Sequence, residues 1–550
     1  MVKKFSVFLL IALIYSGILS AQTPPPPTLG TNEHYTNLWS VSYDYQTNGS
    51  IRYLVQDPTN QSKWCAILMA QQDSTAAAGV GRYIYFAYSE DNGNTWTADV
   101  LSNTAANGFP CLTLSNGIPV ISRHQSSAVG CIVSKDLFFG AFGWADVGSI
   151  PPITGSAQPI WPHITGTANG NLVNVAAPNV TDAFDGQYTT YNGSSWSNYT
   201  LLPNISGPSG NFDAAANSNG RACILGVEYN LSTLAMSLFT SNDNGGTFSG
   251  SVIFNNLIIG NDTLYTNLFG YQATYIGDEP HVAMIVYNNT ATVFPNTYTT
   301  EYIRPSIYHW SASTGLDLIA NESNIPNLAD TITTVNMNPL TQPTITRTPS
   351  GKLMCAYTAF LNGNTQVVLN GDVVNAGEIL VSVSNDNGNT WSNPTNITNT
   401  PNVEEKHPSF VQVSSTDSLR IYYVRDMYAG AWVNVADWGK APVYGIFYRG
   451  PAPVGIKEDV SIAKTYELFQ NYPNPFNPTT TISYFVQKTG LVTLKVYDAL
   501  GREVETLVNE IQTQGPREIT FNGDRLSSGI YYYSITTGDF TDTKKMMLIK

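Results

Sequence analysis

The chain has 550 residues, room for several domains or one large repeat array, and carries a formal charge of −14 with only 12% charged residues. No Lys/Arg cluster interrupts that acidic balance, which excludes a nucleic-acid partner, because phosphate binding needs a basic surface. Scarce charge and plentiful Asn, Thr, Ser, Gly and Tyr suit strands joined by turns, and no long helical period is present.

The N-terminus reads Met1-Val-Lys3-Lys4, an apolar run from Phe5 to Leu19, then Ser20-Ala21 before Gln22, the pattern of a secretory signal peptide over residues 1–21. The run is too short for a membrane span and no Cys follows it to accept a lipid anchor, so no transmembrane segment is expected. Residues 22–33, with Pro24 to Pro27, read as a stiff spacer. From His34 to Tyr45 the residues Trp39, Val41, Tyr43 and Tyr45 alternate as in a strand.

Across residues 34–450 an apolar strand, a turn and a second apolar strand recur. The turns fall near Asn60 and at Asn116-Gly117, Asn169-Gly170, Asn219-Gly220, Gly277-Asp278, Ser350-Gly351 and Thr416-Asp417. A second pattern appears three times: Ser89-Glu-Asp91-Asn-Gly93-Asn-Thr95-Trp96, Ser241-Asn-Asp243-Asn-Gly245-Gly-Thr247-Phe248 and Ser384-Asn-Asp386-Asn-Gly388-Asn-Thr390-Trp391. In each, the carboxylate and hydroxyls can take up the free N–H groups of a tight hairpin, the Gly supplies a left-handed residue, and the aromatic ring plugs the sheet. Asn192-Gly-Ser-Ser-Trp196 is a decayed copy.

These motifs resemble the Asp-box (BNR repeat) of sialidase-like β-propellers. The resemblance implies an all-β fold, with the boxes between third and fourth strands of a blade and remote from substrate. Seven turns imply a seven-bladed propeller, with six blades as the alternative, and His34 to Tyr45 would supply the outer strand of the last blade, since an unclosed ring exposes an edge. First and third turns of a four-stranded blade share one rim. The other rim then carries three long connections, about Asn288 to Pro305, Phe360 to Gly377 and Asp426 to Val443.

Aromatic rings mixed with Arg, Asp and Asn in such loops suit a glycan or a surface protein. The binding candidates are Tyr302, Arg304, Arg425, Asp426, Trp432, Asp437 and Trp438, with Trp161 and His407 near the starts of inner strands. A sialidase resemblance also implies three Arg residues around the substrate carboxylate, the first in an Arg-Ile-Pro motif. Here Thr341-Gln342-Pro343 keeps the Pro and puts Thr in the Arg position, so a noncatalytic binding propeller is expected, with a sialidase-like or other exo-acting glycoside hydrolase as the alternative. No cofactor is expected, and His and Cys lack metal-ligand spacing. Of the five Cys, Cys65, Cys223 and Cys355 recur at one place in successive repeats as small buried hydrophobes, and Cys111 with Cys131 is the pair closest to a disulfide.

Residues 451–465 form a linker. Residues 466–550 contain Tyr472-Pro473-Asn-Pro475-Phe-Asn-Pro478, an alternating run from Leu491 to Tyr497, and a closing Lys544-Lys545-Met-Met-Leu-Ile-Lys550. They resemble the C-terminal sorting domain of the type IX secretion system, a small immunoglobulin-like β-sandwich. The resemblance implies recognition by that machinery in a Bacteroidetes-like bacterium, and an extracellular or cell-surface destination after passage through the periplasm.

Overall fold

A computed structural model describes residues 29–453, 467–468, 471 and 474–550 apart from 37–49, 72–81, 102–106, 126–128, 154–157, 179–184, 207–211, 231–232, 260–261, 288–296, 300–304, 326, 330, 334–337, 369, 431–441, 487–489, 513–514 and 539. The signal peptide and most of the expected spacer and linker lie outside these residues. The chain divides into two compact units, Met1–Gly455 and Ile456–Lys550. Among the described residues no helix is long and apolar enough to cross a membrane.

The larger unit is a β-propeller of antiparallel four-stranded meanders in chain order. The first holds Leu54–Gln56, Trp64–Gln71, Arg82–Ser89 and Thr97–Val100; the second Gly108–Ser115, Ile118–His124, Cys131–Lys135 and Ala145–Asp146. The third runs from Pro159–Gly166 to Thr200–Ser206 and the fourth from Phe212–Ala216 to Ser249–Phe254. The fifth is built on Asp262–Ile276, Glu279–Tyr287, Ser306–Ser311 and Gly315–Ala320. The sixth is built on Leu340–Arg347, Leu353–Val367, Val373–Ser384 and Thr395–Asn396. The seventh has only Glu404–Ser409, Leu419–Asp426 and Val443–Gly450 from its own stretch of chain; its outer strand is the N-terminal Glu33–Tyr35, with Glu33 opposite Tyr448 and Tyr35 opposite Ile446. That strand falls at the front of the expected His34 to Tyr45 segment, whose residues 37–49 lie outside the described ones.

Apolar burial joins the seventh meander to the first. Phe447 packs on Trp64 and Trp96 with ring centroids 5.1 and 5.3 Å apart, and Tyr53 N donates to Ser409 Oγ at 2.8 Å. Inner strands also meet across the middle: Ser50 Oγ donates to Pro343 O at 2.5 Å, and Arg52 reaches Asp213 at 3.4 Å and the carbonyl of Ala273.

A repeated backbone device lies in the inner strands. Phe109, Trp161, Gln342 and His407 have φ of 49°, 52°, 56° and 56°, and each directly precedes a Pro at a β-bulge. Left-handed backbone is costly for residues with a Cβ and persists only where surroundings over-determine it. Three of the N–H groups so displaced are taken up by a side chain of the preceding meander. Phe109 N donates to Met69 Sδ, Trp161 N to His124 Nδ1 and His407 N to Gln342 Oε1. Burial, with Arg82 beside it, holds His124 down at about 3, so the ring stays neutral and its Nδ1 is an acceptor.

All five Cys are buried and free. The suspected pairing of Cys111 with Cys131 is therefore corrected: their thiols donate instead to the carbonyls of Ile164 and Pro159 in the third meander.

The smaller unit is a β-sandwich. One sheet contains Glu467–Leu468, Thr479–Val486 and Gly515–Asn522; the other orders Glu503–Gln512, Gly490–Asp498, Gly529–Thr537 and Phe540–Leu548. Alternation places Ile482, Tyr484, Val492, Leu494, Val496, Tyr533 and Ile535 in one core between the sheets.

Candidate functional site

The two rims of the propeller differ in construction. On one, the Ser-x-Asp-x-Gly-x-Thr hairpins are closed by their own side chains. Asp386 Oδ1 accepts from Thr390 N at 2.9 Å, its Oδ2 from Thr390 Oγ1 at 2.6 Å, and Ser384 Oγ accepts from Gly388 N at 2.8 Å. The other two copies repeat these bonds around Asp91 and Asp243. Trp96 and Trp391 add an indole N–H bond to the Gly93 and Gly388 carbonyls, and Phe248 packs on Tyr188 instead. First-turn residues share this rim, as Asn92 N donates to Ser62 O and Asn244 N to Gly220 O.

The opposite rim carries the long connections. The stretch expected as a loop from Phe360 to Gly377 is instead a strand extension: beyond a bulge the pairing resumes at Thr365–Asn375 and runs to Val367–Val373. The physical reason is that the bulge absorbs the Asn362-Gly363-Asn364 turn signal, with Gly363 at φ 83°, without ending the ladder. The extended hairpin rests on the seventh meander through Val368, Val374, Ala376 and Ala429, which form a small buried cluster. Gln366 fixes the join by accepting from Ala429 N at 2.7 Å and donating to Met427 O at 3.1 Å.

Beneath lies a buried ionic anchor. Lys406 Nζ lies 2.5 Å from Glu404 Oε2 and 3.4 Å from Asp426 Oδ2, and donates to Gly430 O at 2.9 Å. Glu404 accepts from Gly430 N and Asp426 from Tyr428 N. Burial pushes both carboxyls up, against the pull of Lys406, because an ion in low dielectric loses its hydration. The root of the third long connection is thereby pinned, while Val367, Val373 and Tyr428 stand out above it at 70%, 56% and 39% exposure.

The expected site residues divide accordingly. Tyr302, Arg304, Trp432, Asp437 and Trp438 lie outside the described residues. Arg425, Asp426 and His407 are each 1% exposed and make internal contacts, His407 with Gln342 and Arg425 with Glu33 and Glu405. Trp161 is half-buried at its bulge. Arg52 and Arg123 also serve the fold. Arg52 is paired with Asp213, and Arg123 donates to Asn107 and Ser134 at 3.0 and 2.7 Å. Sequence reasoning missed Glu33, Glu404 and Gln366. The readable signal was Glu404-Glu405-Lys406, three charges in an inner strand where solvent is absent. Among the described residues no group of three or more His, Cys, Asp or Glu is placed to hold a metal ion.

Residues 470–550 match the family model described as a secretion system C-terminal sorting domain. No curated protein matches the chain. Among solved structures, the chain resembles PorZ, an essential surface component of the type IX secretion system of Porphyromonas gingivalis, at 13% identity and TM-score 0.36; the match covers 94% of this chain and 61% of that one. The NanB sialidase of Streptococcus pneumoniae matches at 11% identity and TM-score 0.37, over 76% of this chain and 70% of that one. The Trypanosoma rangeli sialidase matches at 11% identity and TM-score 0.37, over 94% and 89%. The chain is thus a β-propeller carrying a type IX sorting domain at residues 470–550, which implies export to the cell surface or beyond.

Proposed function

We propose that the propeller is a seven-bladed, noncatalytic module that binds a glycan or a surface protein through its long-connection rim, and that its C-terminal domain engages the type IX machinery for export. One observation carries the rim assignment: Val367, Val373 and Tyr428 are exposed together over an anchor of buried ions and a bonded Gln366. Apolar and aromatic side chains held out on a rigid base lose little conformational freedom on binding, which is how contact residues gain affinity. Against a sialidase, Arg52, Arg123 and Arg425 are engaged by internal partners, and Thr341 stands at the first Arg position.

The test is retention of the full chain on a polysaccharide panel and on intact cells of the producing bacterium. Tyr428→Ala combined with Val367→Ser is expected to weaken retention at least tenfold. Unchanged retention overturns the rim assignment. Turnover of fluorogenic sialosides that is abolished by Arg304→Ala overturns the noncatalytic one.

A further inference from the structure

A polar cavity of about 250 Å³ opens in the seam between the sixth and seventh meanders, lined by residues other than the exposed Val367, Val373 and Tyr428. Its walls come from three stretches far apart in sequence. The N-terminal segment gives Thr31 and Asn32, the chain after Thr395–Asn396 gives Thr398 and Thr400, and the seventh meander gives Tyr448 and Arg425.

The back wall is a fixed charge cluster. Arg425 Nε donates to Glu405 Oε1 at 2.8 Å, and Nη1 and Nη2 donate to Glu33 at 3.1 and 2.7 Å. Glu33 also accepts from Gly30 N and from the Tyr423 hydroxyl, so its acceptor sites are filled and it serves as an anchor. Arg425 uses three of its five N–H groups on these two carboxylates, and its side chain lines the cavity. Thr400 donates its hydroxyl proton to Thr398 O, and the Tyr448 hydroxyl accepts from Asn32 Nδ2; both oxygens keep a lone pair. Thr31 adds an exposed hydroxyl at the mouth.

Charge narrows the occupant. One guanidinium faces Glu33 and Glu405, with Glu378 acting on Glu405 from the sixth meander, so a carboxylate or phosphate would meet no excess of positive charge. Interspersed donors and acceptors suit a neutral molecule with several hydroxyls. The volume is just below the roughly 300–1,000 Å³ of ordinary ligand pockets, which limits the occupant to a single ring.

We propose that this seam binds one neutral hexopyranose unit between the N-terminal strand and the sixth meander. The assignment is independent of the rim. A sugar bridging Thr31 and Thr400 ties the N-terminal segment to the propeller, so binding raises the melting temperature with ligand concentration.

The experiment uses the full chain, saturation-transfer NMR and thermal melting with glucose, galactose, mannose and, as an anionic counterpart, glucuronate. At least one neutral hexose is expected to bind and raise the melting temperature, and Thr31→Val with Thr400→Val to weaken that binding tenfold or more. Thr31→Val alone, at an exposed position, is expected to weaken it measurably with the unliganded melting temperature unchanged. Absence of hexose binding, equal or tighter binding of glucuronate, or hexose binding that survives the Thr variants overturns the proposal. Loss of hexose binding in Tyr428→Ala instead assigns the sugar to the rim, which leaves the rim reading standing and the seam proposal refuted.

Discussion

Two buried carboxylates answer to pH in opposite directions. Burial lifts Asp213 from the ordinary 3.8 to about 6, more than Arg52 and the Ala273 N–H pull it down. Its folded value lies above its unfolded one, so its stabilising effect is complete below 3.8 and is lost as pH rises through about 6. Asp213→Asn is expected to flatten the urea-midpoint profile over that window; an unchanged slope refutes this. Glu33 is the reverse case. Burial raises it, but Arg425, Tyr423 and Gly30 N–H together bring it below its ordinary 4.5, so its contribution is present above that value and lost as pH falls. Arg425 and Asp426 were legible as charged residues beside a long connection, but their partners were not. Glu33 lies 392 positions from Arg425, and pattern reading along a chain carries no information at that range.

At the scale of the hairpin, the pattern in the sequence and the bonds in the structure coincide because the whole unit is local: donor and acceptor lie within four residues. Asp386→Ala removes the acceptor for Thr390 N and Oγ1 at an exposed turn, and is expected to cost about 1 kcal/mol. Gly93→Ala is expected to cost several times more. Gly93 has φ 84°, and an added Cβ would stand 2.1 Å from the Phe447 ring that joins the seventh meander to the first. Equal losses in chemical denaturation would show that the Asp-box glycine serves the turn alone. The sixth-meander hairpin shows the limit of local reading. Asn362-Gly363-Asn364 has turn chemistry, yet the ladder continues past it because Val374 and Ala376 gain burial with Val368 of the same hairpin against Ala429 of the seventh meander.

For the whole propeller, closure depends on a three-residue strand at the start of the described chain. Glu33→Ala leaves the guanidinium of Arg425 buried with one carboxylate, a loss of about 3–5 kcal/mol for a broken buried pair. Deleting residues 29–36 also bares the edge of Val443–Gly450, so this variant is expected to melt earlier and to elute as higher oligomers in size-exclusion chromatography. A monomeric deletion with an unchanged melting temperature would show that the strand does not close the ring. Strand periodicity, the seven first-turn signals, the acidic hairpins and the C-terminal sorting domain could all be read from the amino-acid order, since each is encoded within a few residues or in a contiguous segment. Which charges are buried, which arginines are engaged, how the bulges before Pro110, Pro162 and Pro408 are satisfied, and where a cavity opens depended on residues from different meanders meeting. Those encounters follow from packing successive sheets against one another, and no stretch of sequence contains both sides of them.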